Sequence, residues 1–194
     1  MENKDNFARC HWCGTDPLYM AYHDHEWGRP ERDPRKLFEL LILESFQAGL
    51  AWITILRKRD GFRTAFQGFH PETIATWGET EVARLLADPG IVRHRGKIEG
   101  AIRGAQVFLR IEAAQGFSPF LWSFVGGTSL QPRPGRMADV PGQTAESLAM
   151  SKALKAEGFN FVGPTITYAF MQASGMVNDH LVTCPRHAEV AALT

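Results

Sequence analysis

Two pairs of metal-binding side chains lie near opposite ends of the chain. Cys10 and His23 are close to the N-terminus, and His180 and Cys184 are close to the C-terminus. Two thiolates and two imidazoles form the soft, tetrahedral ligand set of structural zinc sites. On a helix, a histidine and a cysteine four residues apart lie on the same face, so the second pair could chelate locally. With four protein ligands the site would be closed, and therefore structural rather than catalytic.

Spacing alone does not choose the ligands. Cys13, His25 and His187 are near the proposed ligands in the sequence and could take their places. The alternative without a metal is a buried cysteine and histidines scattered over the surface. The three cysteines are an odd number, which argues against a disulfide framework and for thiols that act as ligands or core residues.

One acidic side chain interrupts the most apolar segment of the chain. Glu44 lies between Arg35 and Phe46, a segment whose apolar residues occupy nearly every side of the predicted helix. An ionised carboxylate is unfavourable to bury unless it is paired or hydrogen-bonded. Glu44 therefore either pairs with an arginine in the core or faces a ligand pocket.

Two further patterns are typical of contacts with nucleic acid. The segment from Leu154 to Thr165 has the glycine-bounded turn of helix-hairpin-helix elements, in which backbone amides and a helix N-terminus meet a phosphate. The alternative is an ordinary corner between two helices. Basic residues also cluster at 57–59 and 93–97, where the alternative is a solvated surface.

The hydrophobic pattern predicts an all-α fold. Asp33 and Pro34 mark the start of the apolar central helix, and Gly158 marks the end of a later one. Further helices are predicted over residues 51–59, 72–77, 80–87, 97–114, 117–125, 147–157 and 164–174. The glycine- and proline-rich segment 126–142 is predicted to be a loop, either a surface excursion or a domain joint. The first nine residues are predicted to be loosely held.

Composition limits the class of protein. A chain of 194 residues with 44% hydrophobic residues fits one domain. Because no apolar run reaches the length of a membrane span and no signal-peptide pattern is present, we expect a soluble, cytoplasmic protein. Basic and acidic residues both number 21, which excludes a generally adhesive surface but not a local DNA-binding face.

Four long segments resemble the 3-methyladenine DNA glycosylase I family. They are DPLYMAYHDHEWG (16–28), LESFQAGLAWITILRKR (43–59), GIVRHRGKI (90–98) and GFNFVGPTITYAFMQASGMVNDH (158–180). The likeness covers almost the full chain. It implies a single helix-hairpin-helix DNA glycosylase domain over residues 1–194, with the helix-hairpin-helix element at about 147–175 and a zinc site that joins the two terminal segments.

The resemblance also assigns roles to residues of this chain. The family's zinc ligands fall on Cys10, His23, His180 and Cys184, which sets aside the three competing side chains. The base-binding pocket would contain Glu44 as the catalytic residue, with Tyr19, Tyr22 and Trp52, and with Trp12 and Trp27 in its wall. DNA contacts are expected at Gly49, Leu50, Arg93, Arg95, Lys97, Gly163 and Thr165, with the turn at 48–50 as a wedge into the gap left by the flipped base.

The activity that the resemblance implies is hydrolysis of the N-glycosidic bond of N3-methylated adenine after the base is flipped out of the duplex. The cationic base would stack on Trp52 and be favoured by Glu44. A cationic purine is already a good leaving group, so little acid assistance is needed. The superfamily's aspartate position would fall on Asn178, or on Asp179 if the register differs by one. With no lysine among the pocket residues, a lyase step is not expected.

Two alternatives compete with this interpretation. One is a zinc-stabilised helical module that binds DNA or another partner without catalysis, in which Glu44 forms a structural ion pair. The other is a glycosylase for different alkylated purines. The expected partner is double-stranded DNA that contains alkylated adenine, with no membrane or protein partner and a monomeric state.

Overall fold

The computed structural model describes residues 8–193, and within them it contains helices and loops with one isolated β-bridge, between Leu130 and Val177. The α-helices are α1 (Pro17–His25), α2 (Pro34–Gln47), α3 (Trp52–Ala65), α4 (Pro71–Ile74), α5 (Glu79–Ala87), α6 (Arg95–Gln115), α7 (Phe117–Trp122), α8 (Ala145–Glu157), α9 (Pro164–Ala173) and α10 (Pro185–Ala191). Short 3₁₀ segments are His11–Cys13, Gln67–Phe69, Ser123–Val125 and Met137–Asp139. The predicted all-α class is confirmed. Residues 1–7, part of the segment predicted to be loosely held, lie outside the described range.

Helices α1 and α2 begin in the same way. The side chains of Asp16 and Asp33 each accept hydrogen bonds from two amides in the first turn of the helix that follows. A proline occupies the first helical position in both, where an N–H group would have no partner within the helix. The signal predicts the start of α2; α1, whose side chains have no amphipathic pattern, was not predicted.

The central helix of the fold is α2, which packs against α3, α6 and α9. Its own Phe38 and Phe46 are buried together with phenylalanines from other parts of the chain: Phe62, Phe66, Phe69, Phe117 and Phe170. Each fully buried phenylalanine contributes about 1.5–3 kcal/mol through the hydrophobic effect. Burial of α2 on nearly all sides therefore makes it a rigid base for Glu44.

Helices α8 and α9 form a tight hairpin. Gly158 ends α8 with φ of 112°, a conformation in which a glycine is preferred. The turn also places Phe161 at φ of 58°, which costs a residue with a β-carbon about 1–2 kcal/mol. The hydroxyls of Ser151 and Thr167 both donate to the carbonyl of Val162 and hold the turn in this shape.

The segment after α1 is fastened to the C-terminal end of α9. The amide of Gly28 donates to the carbonyl of Gln172 at 3.1 Å, and the amide of Glu31 donates to that of Ser174 at 3.0 Å. Gly175 packs so closely here that a β-carbon would clash with the backbone of Arg29 and Pro30, so no other residue fits. These contacts hold the segment after α1 against the C-terminal end of α9.

Several element boundaries differ from the sequence prediction. Helix α3 continues to Ala65 because its apolar spacing persists past the basic cluster, and α10 was not predicted. The segment from His180 to Cys184 is a turn rather than the proposed helix. Among the described helices, none is both long and apolar enough to cross a membrane.

Candidate active site

The four predicted metal ligands meet in one buried cluster. The ligand atoms of Cys10, His23, His180 and Cys184 all lie within 4.8 Å of one another, and each side chain is almost inaccessible to solvent. The distances from sulfur to imidazole nitrogen include 3.7 Å from Cys10 to His180 and 3.8 Å from Cys184 to His23. The turn over residues 181–184, closed by a hydrogen bond from the amide of Cys184 to the carbonyl of Leu181, brings the last two ligands together without a helix. The cluster could hold a metal ion.

Both imidazoles are oriented by contacts on their outer sides. Nδ1 of His23 lies 2.7 Å from Oδ1 of Asp24, which Arg9 also binds, and Nε2 of His180 lies 3.1 Å from the carbonyl oxygen of Trp27. Because carboxylate and carbonyl oxygens only accept, the outer nitrogens carry the protons. The inner nitrogens therefore present lone pairs to the cluster, as metal ligands require.

The thiols of Cys10 and Cys184 affect each other's ionisation. The hydrogen bond from Cys10 lowers the pKa of Cys184, and the same bond together with burial raises the pKa of Cys10. A divalent cation would displace the thiol protons and bind both groups as thiolates. The competing side chains lie elsewhere: Cys13 donates to the carbonyl of Cys10, and Nε2 of His187 contacts the carbonyl of Pro132.

A cavity of about 300 Å³ adjoins this cluster. Glu44 and all five predicted aromatic pocket residues line it: Trp12, Tyr19, Tyr22, Trp27 and Trp52. The remaining lining residues, which the sequence did not point to, are Gln47, Met137, Val140, Pro141, Ala169 and Gln172. The segment 126–142, whose role was open, thus supplies part of the cavity wall.

Glu44 is buried without a hydrogen-bond or ion-pair partner among residues 8–193. Its side chain is 3% exposed. Burial raises the pKa of Glu44 to about 8. Among the described residues Glu44 has no arginine partner, and it lies in the wall of the cavity; its role in binding a base stays a prediction.

The rest of the cavity wall combines aromatic faces with unused polar atoms. Trp12 packs edge-to-face on Tyr19 and Trp27, with ring centroids 5.0 and 4.9 Å apart, and Tyr22 lies 5.7 Å from Trp52. Among the described residues, the indole nitrogens of Trp12 and Trp52 are buried without a hydrogen-bond partner. Buried donors that the protein leaves unsatisfied indicate a ligand with polar groups of its own.

A family model described as methyladenine glycosylase matches residues 12–187. The chain belongs to the methyladenine glycosylase family. DNA-3-methyladenine glycosylase 1 of Escherichia coli strain K12 is 50% identical over 177 residues, which cover 91% of this chain and 95% of that protein. DNA-3-methyladenine glycosylase of Haemophilus influenzae is 45% identical over 179 residues, which cover 92% of this chain and 97% of that protein.

Solved structures of methyladenine glycosylases have the same fold. A crystal structure of 3-methyladenine DNA glycosylase I matches with a TM-score of 0.90 at 50% identity and covers 92% of this chain and 98% of that one. A structure of the Staphylococcus aureus enzyme, which addresses its recognition of 3-methyladenine, gives a TM-score of 0.89 at 41% identity and covers 91% and 95%. The predicted family is confirmed.

The elements predicted to contact DNA lie around the N-terminus of α6. Leu50 is 39% exposed on a turn in which Gly49 has φ of 84°, and Arg93 is exposed. Arg95 is exposed but pairs with Glu79 and Glu99. On the α8–α9 hairpin, Gly163 precedes the first turn of α9 and Thr165 is exposed within it.

Lys97 does not fit the predicted role as an exposed DNA contact. Its side chain is only 6% exposed, and Nζ donates to the carbonyls of Phe46 at 2.8 Å and Ala48 at 2.6 Å. Burial lowers the pKa of Lys97. Lys97 therefore caps the C-terminal end of α2 and holds the turn at 48–50. A basic residue inside a basic cluster gave no sign of this in the sequence.

Replacement of Lys97 should reveal this structural role. We expect Lys97→Met to lower the free energy of unfolding by about 1–3 kcal/mol, because the buried carbonyl of Phe46 and the half-buried carbonyl of Ala48 lose their donor. Arg93→Ala is the matched control: it should leave stability within about 0.5 kcal/mol and reduce the salt dependence of duplex binding by about one phosphate contact. Urea unfolding and DNA titrations at several salt concentrations measure both. Unchanged stability of Lys97→Met with a lowered salt dependence would instead make Lys97 a phosphate contact.

Neither candidate for the superfamily aspartate lines the cavity. Nδ2 of Asn178 donates to Oε1 of Gln131 and to the carbonyl of His187. The carboxylate of Asp179 accepts from the hydroxyl of Tyr168 at 2.6 Å and from Nε2 of Gln172 at 2.7 Å. Asp179 is therefore connected to the cavity through Gln172, which lines it.

Proposed function

We propose that the protein is a monofunctional DNA glycosylase that releases 3-methyladenine from duplex DNA and leaves an abasic site. The observation that carries the proposal is Glu44, a buried carboxyl that has no partner among the described residues and lines a cavity walled by aromatic rings. The name of the Escherichia coli relative, at 50% identity over nearly its whole length, supports the same activity. Glu44 is the residue that we assign to the reaction.

The cavity suits a flat cationic base. N3-methylated adenine carries a positive charge in DNA, and an aromatic face attracts a cation by about 0.5–2 kcal/mol. Trp52 offers such a face, with Tyr22 beside it. A cation near Glu44 favours the ionised carboxylate and opposes the effect of burial on its pKa. Ordinary adenine, which is neutral, gains none of this attraction.

The base must leave the duplex to reach the cavity. Unstacking costs a few kcal/mol, and an exposed apolar side chain that fills the gap offsets part of this energy. Leu50 is such a side chain, at a turn between Glu44 and Trp52 in the sequence. The α8–α9 hairpin would act as a helix-hairpin-helix element, with the N-terminus of α9 near Gly163 and Thr165 facing a phosphate and Arg93 adding positive charge.

Chemistry in this cavity needs little acid catalysis. When the N-glycosidic bond breaks, the bonding electrons neutralise the cationic base, which leaves without a proton from the protein. A water molecule then adds to the sugar carbon and releases one proton to solvent, which leaves the hydroxyl of the abasic site. The residues of the cavity act by holding the base. Among residues 8–193 no lysine lines the cavity, so the amine that a Schiff-base lyase step requires is not placed there.

We propose a structural zinc ion for the buried cluster. A tetrahedral zinc ion with ordinary bond lengths separates its sulfur and nitrogen ligands by roughly 3.5 Å, close to the 3.7–3.9 Å between these atoms. Cys10, His23, His180 and Cys184 would fill all four positions. The ion would join the two terminal segments beside the cavity. We further propose that the protein acts as an intracellular monomer on alkylated double-stranded DNA, without a protein partner.

Incubation with methylated duplex DNA tests the activity. We expect release of 3-methyladenine, detected by chromatography of the freed bases, from a metal-loaded preparation. DNA binding without any base release would favour the non-catalytic module. Release of 7-methylpurines or 3-methylguanine at comparable rates would contradict the restriction to adenine.

A further inference from the structure

Gln47 lies where the cavity meets the exposed turn at 48–50. It is the last residue of α2, one helical turn after Glu44, and it lines the cavity. Its Nε2 donates to the carbonyl of Leu50 at 2.9 Å, and the amide of Leu50 donates to the carbonyl of Gln47 at 2.7 Å. Two hydrogen bonds thus join this residue to the tip of the turn.

The orientation of the Gln47 amide is determined by its partner. A carbonyl oxygen can only accept, so the nitrogen of the side chain must face Leu50 and the oxygen must point away from it. That oxygen, Oε1, is buried and has no hydrogen-bond partner among the described residues. A buried acceptor left without a donor is unfavourable by about 1–3 kcal/mol, which a ligand with an N–H group in the cavity would relieve.

We propose that Gln47 is a specificity-determining residue, whose Oε1 accepts a hydrogen bond from the exocyclic amino group of the flipped base. The inference rests on the proposed function and extends it to the class of base. In a 3-methylated adenine, the N–H donors are those of the amino group at C6. A 3-methylguanine has a carbonyl at C6, and two oxygens facing each other would repel. The site therefore takes 6-aminopurines in preference to 6-oxopurines.

The same side chain connects the cavity with the wedge. Its nitrogen holds Leu50 while its oxygen faces the ligand, and Lys97 also supports the turn through the carbonyl of Ala48. A bound base that fixes the Gln47 amide therefore also fixes the position of Leu50. Recognition of the base and filling of the duplex gap therefore both depend on Gln47 and the turn at 48–50, which move together.

Binding of two free bases tests the assignment. 3-Methyladenine has the amino group, and 3-methylpurine has hydrogen at C6 and is otherwise the same. Tryptophan fluorescence reports binding, because Trp12, Trp27 and Trp52 line the cavity. The variant is Gln47→Met, which keeps the length of the side chain and removes both the acceptor and the donor. The control is Gln106→Met, since Gln106 also donates to a backbone carbonyl, that of Ala75, but lies outside the cavity.

We expect the wild type and Gln106→Met to prefer 3-methyladenine over 3-methylpurine, and Gln47→Met to lose about tenfold of that preference, the effect of one hydrogen bond. A double-mutant cycle for Gln47→Met and Leu50→Ala on base release from DNA should show non-additive losses.

The outcomes separate this inference from the activity itself. If Gln47→Met binds both bases more weakly by the same factor, Gln47 has a merely structural role and the assignment is overturned. This holds even if the wild type releases 3-methyladenine from DNA. Additive losses in the cycle would overturn the connection to Leu50. A wild type that neither binds 3-methyladenine nor releases it from DNA would contradict the proposed function first.

Discussion

Glu44→Gln is expected to reduce kcat/KM for methylated DNA roughly 10- to 100-fold at pH 8, the value of a hydrogen bond to a charged group, while the protein remains folded. Glutamine keeps the shape of the side chain and removes the negative charge that attracts the cationic base. The loss should be smaller for any neutral substrate, because the charge gives no advantage there. Single-turnover kinetics on duplexes that contain one lesion measure the effect.

The pH dependence of the same variant follows from the pKa of Glu44. In the free protein this carboxyl is protonated up to about pH 8, because burial disfavours its charge. Since kcat/KM reports ionisations of the free enzyme, we expect it to rise with pH toward about 8 in the wild type and to be flatter in Glu44→Gln. The other titratable groups of the cavity wall are Tyr19 and Tyr22, and burial raises the pKa of both above the ordinary value, so they remain neutral in this range.

As pH rises, the free energy of unfolding of the wild type should fall while its activity rises. The pKa of Glu44 is raised from 4.5 to about 8 by folding, so between these values the folded state binds more protons than the unfolded state. Wild-type stability then falls as pH rises through this window, by up to about 1.4 kcal/mol per pH unit. Glu44→Gln lacks this proton uptake and should become more stable than the wild type toward pH 8, as urea unfolding at several pH values would show.

Glu39→Gln is the matched control on the same helix. The carboxylate of Glu39 pairs with Arg63 instead of lying alone, so its replacement should produce neither the gain in stability nor the flattened activity profile. If kcat/KM depends on pH in the same way in the wild type and in Glu44→Gln, Glu44 is not the titrating group. Unfolding of Glu44→Gln would mean that the carboxyl is part of the core after all.

The fold was predictable where local signals agree with packing. The start of α2 at Asp33 and Pro34 and the end of α8 at Gly158 follow from capping chemistry, and both are in the structure. Helix α1 carries the same start signal at Asp16, but its side chains serve the cluster and the cavity instead of a hydrophobic face. An amphipathic pattern cannot indicate a helix whose residues are committed to binding sites.

The candidate site was predictable to the extent that its residues have unusual chemistry. A buried acid such as Glu44 is recognisable in an apolar helix, and clustered cysteines and histidines indicate ligands. Gln47 and Pro141 belong to the cavity only through tertiary contacts, which no spacing rule reveals. Lys97 was misassigned for the same reason, because a basic residue near other basic residues looks exposed until the carbonyls that surround it are known.

Cys184→Ser is expected to remove the metal and lower the melting temperature by roughly 8–16 °C, which for a chain of this size corresponds to a loss of about 4 kcal/mol. A serine hydroxyl does not replace a thiolate as a zinc ligand, and the remaining three ligands would be left as buried, unsatisfied polar groups. Metal content by atomic emission and thermal unfolding measure both effects. Treatment of the wild type with a chelator should lower its melting temperature in the same direction.

The loss should be local, because the N-terminal segment has other anchors. Asp16 pairs with Arg57 and Glu26 pairs with Arg59, so both ends of α1 remain attached to α3. The amide of Gly28 still donates to α9. We therefore expect increased hydrogen exchange at residues 8–14 and 180–193 in Cys184→Ser, and protection retained in α2 and α9.

Cys13→Ser separates ligand loss from the loss of a buried thiol. Cys13 is 1% exposed and three residues from Cys10, but its sulfur donates to a backbone carbonyl instead of facing the cluster. The serine hydroxyl can make the same bond, so this variant should keep its metal and most of its stability. Equal metal content in Cys184→Ser and Cys13→Ser would show that the ligand set is wrong. If metal is lost from Cys184→Ser alone, and hydrogen exchange rises only at the two terminal segments, the role of the ion is structural. It then fastens those segments to each other beside the cavity and does not act on the base.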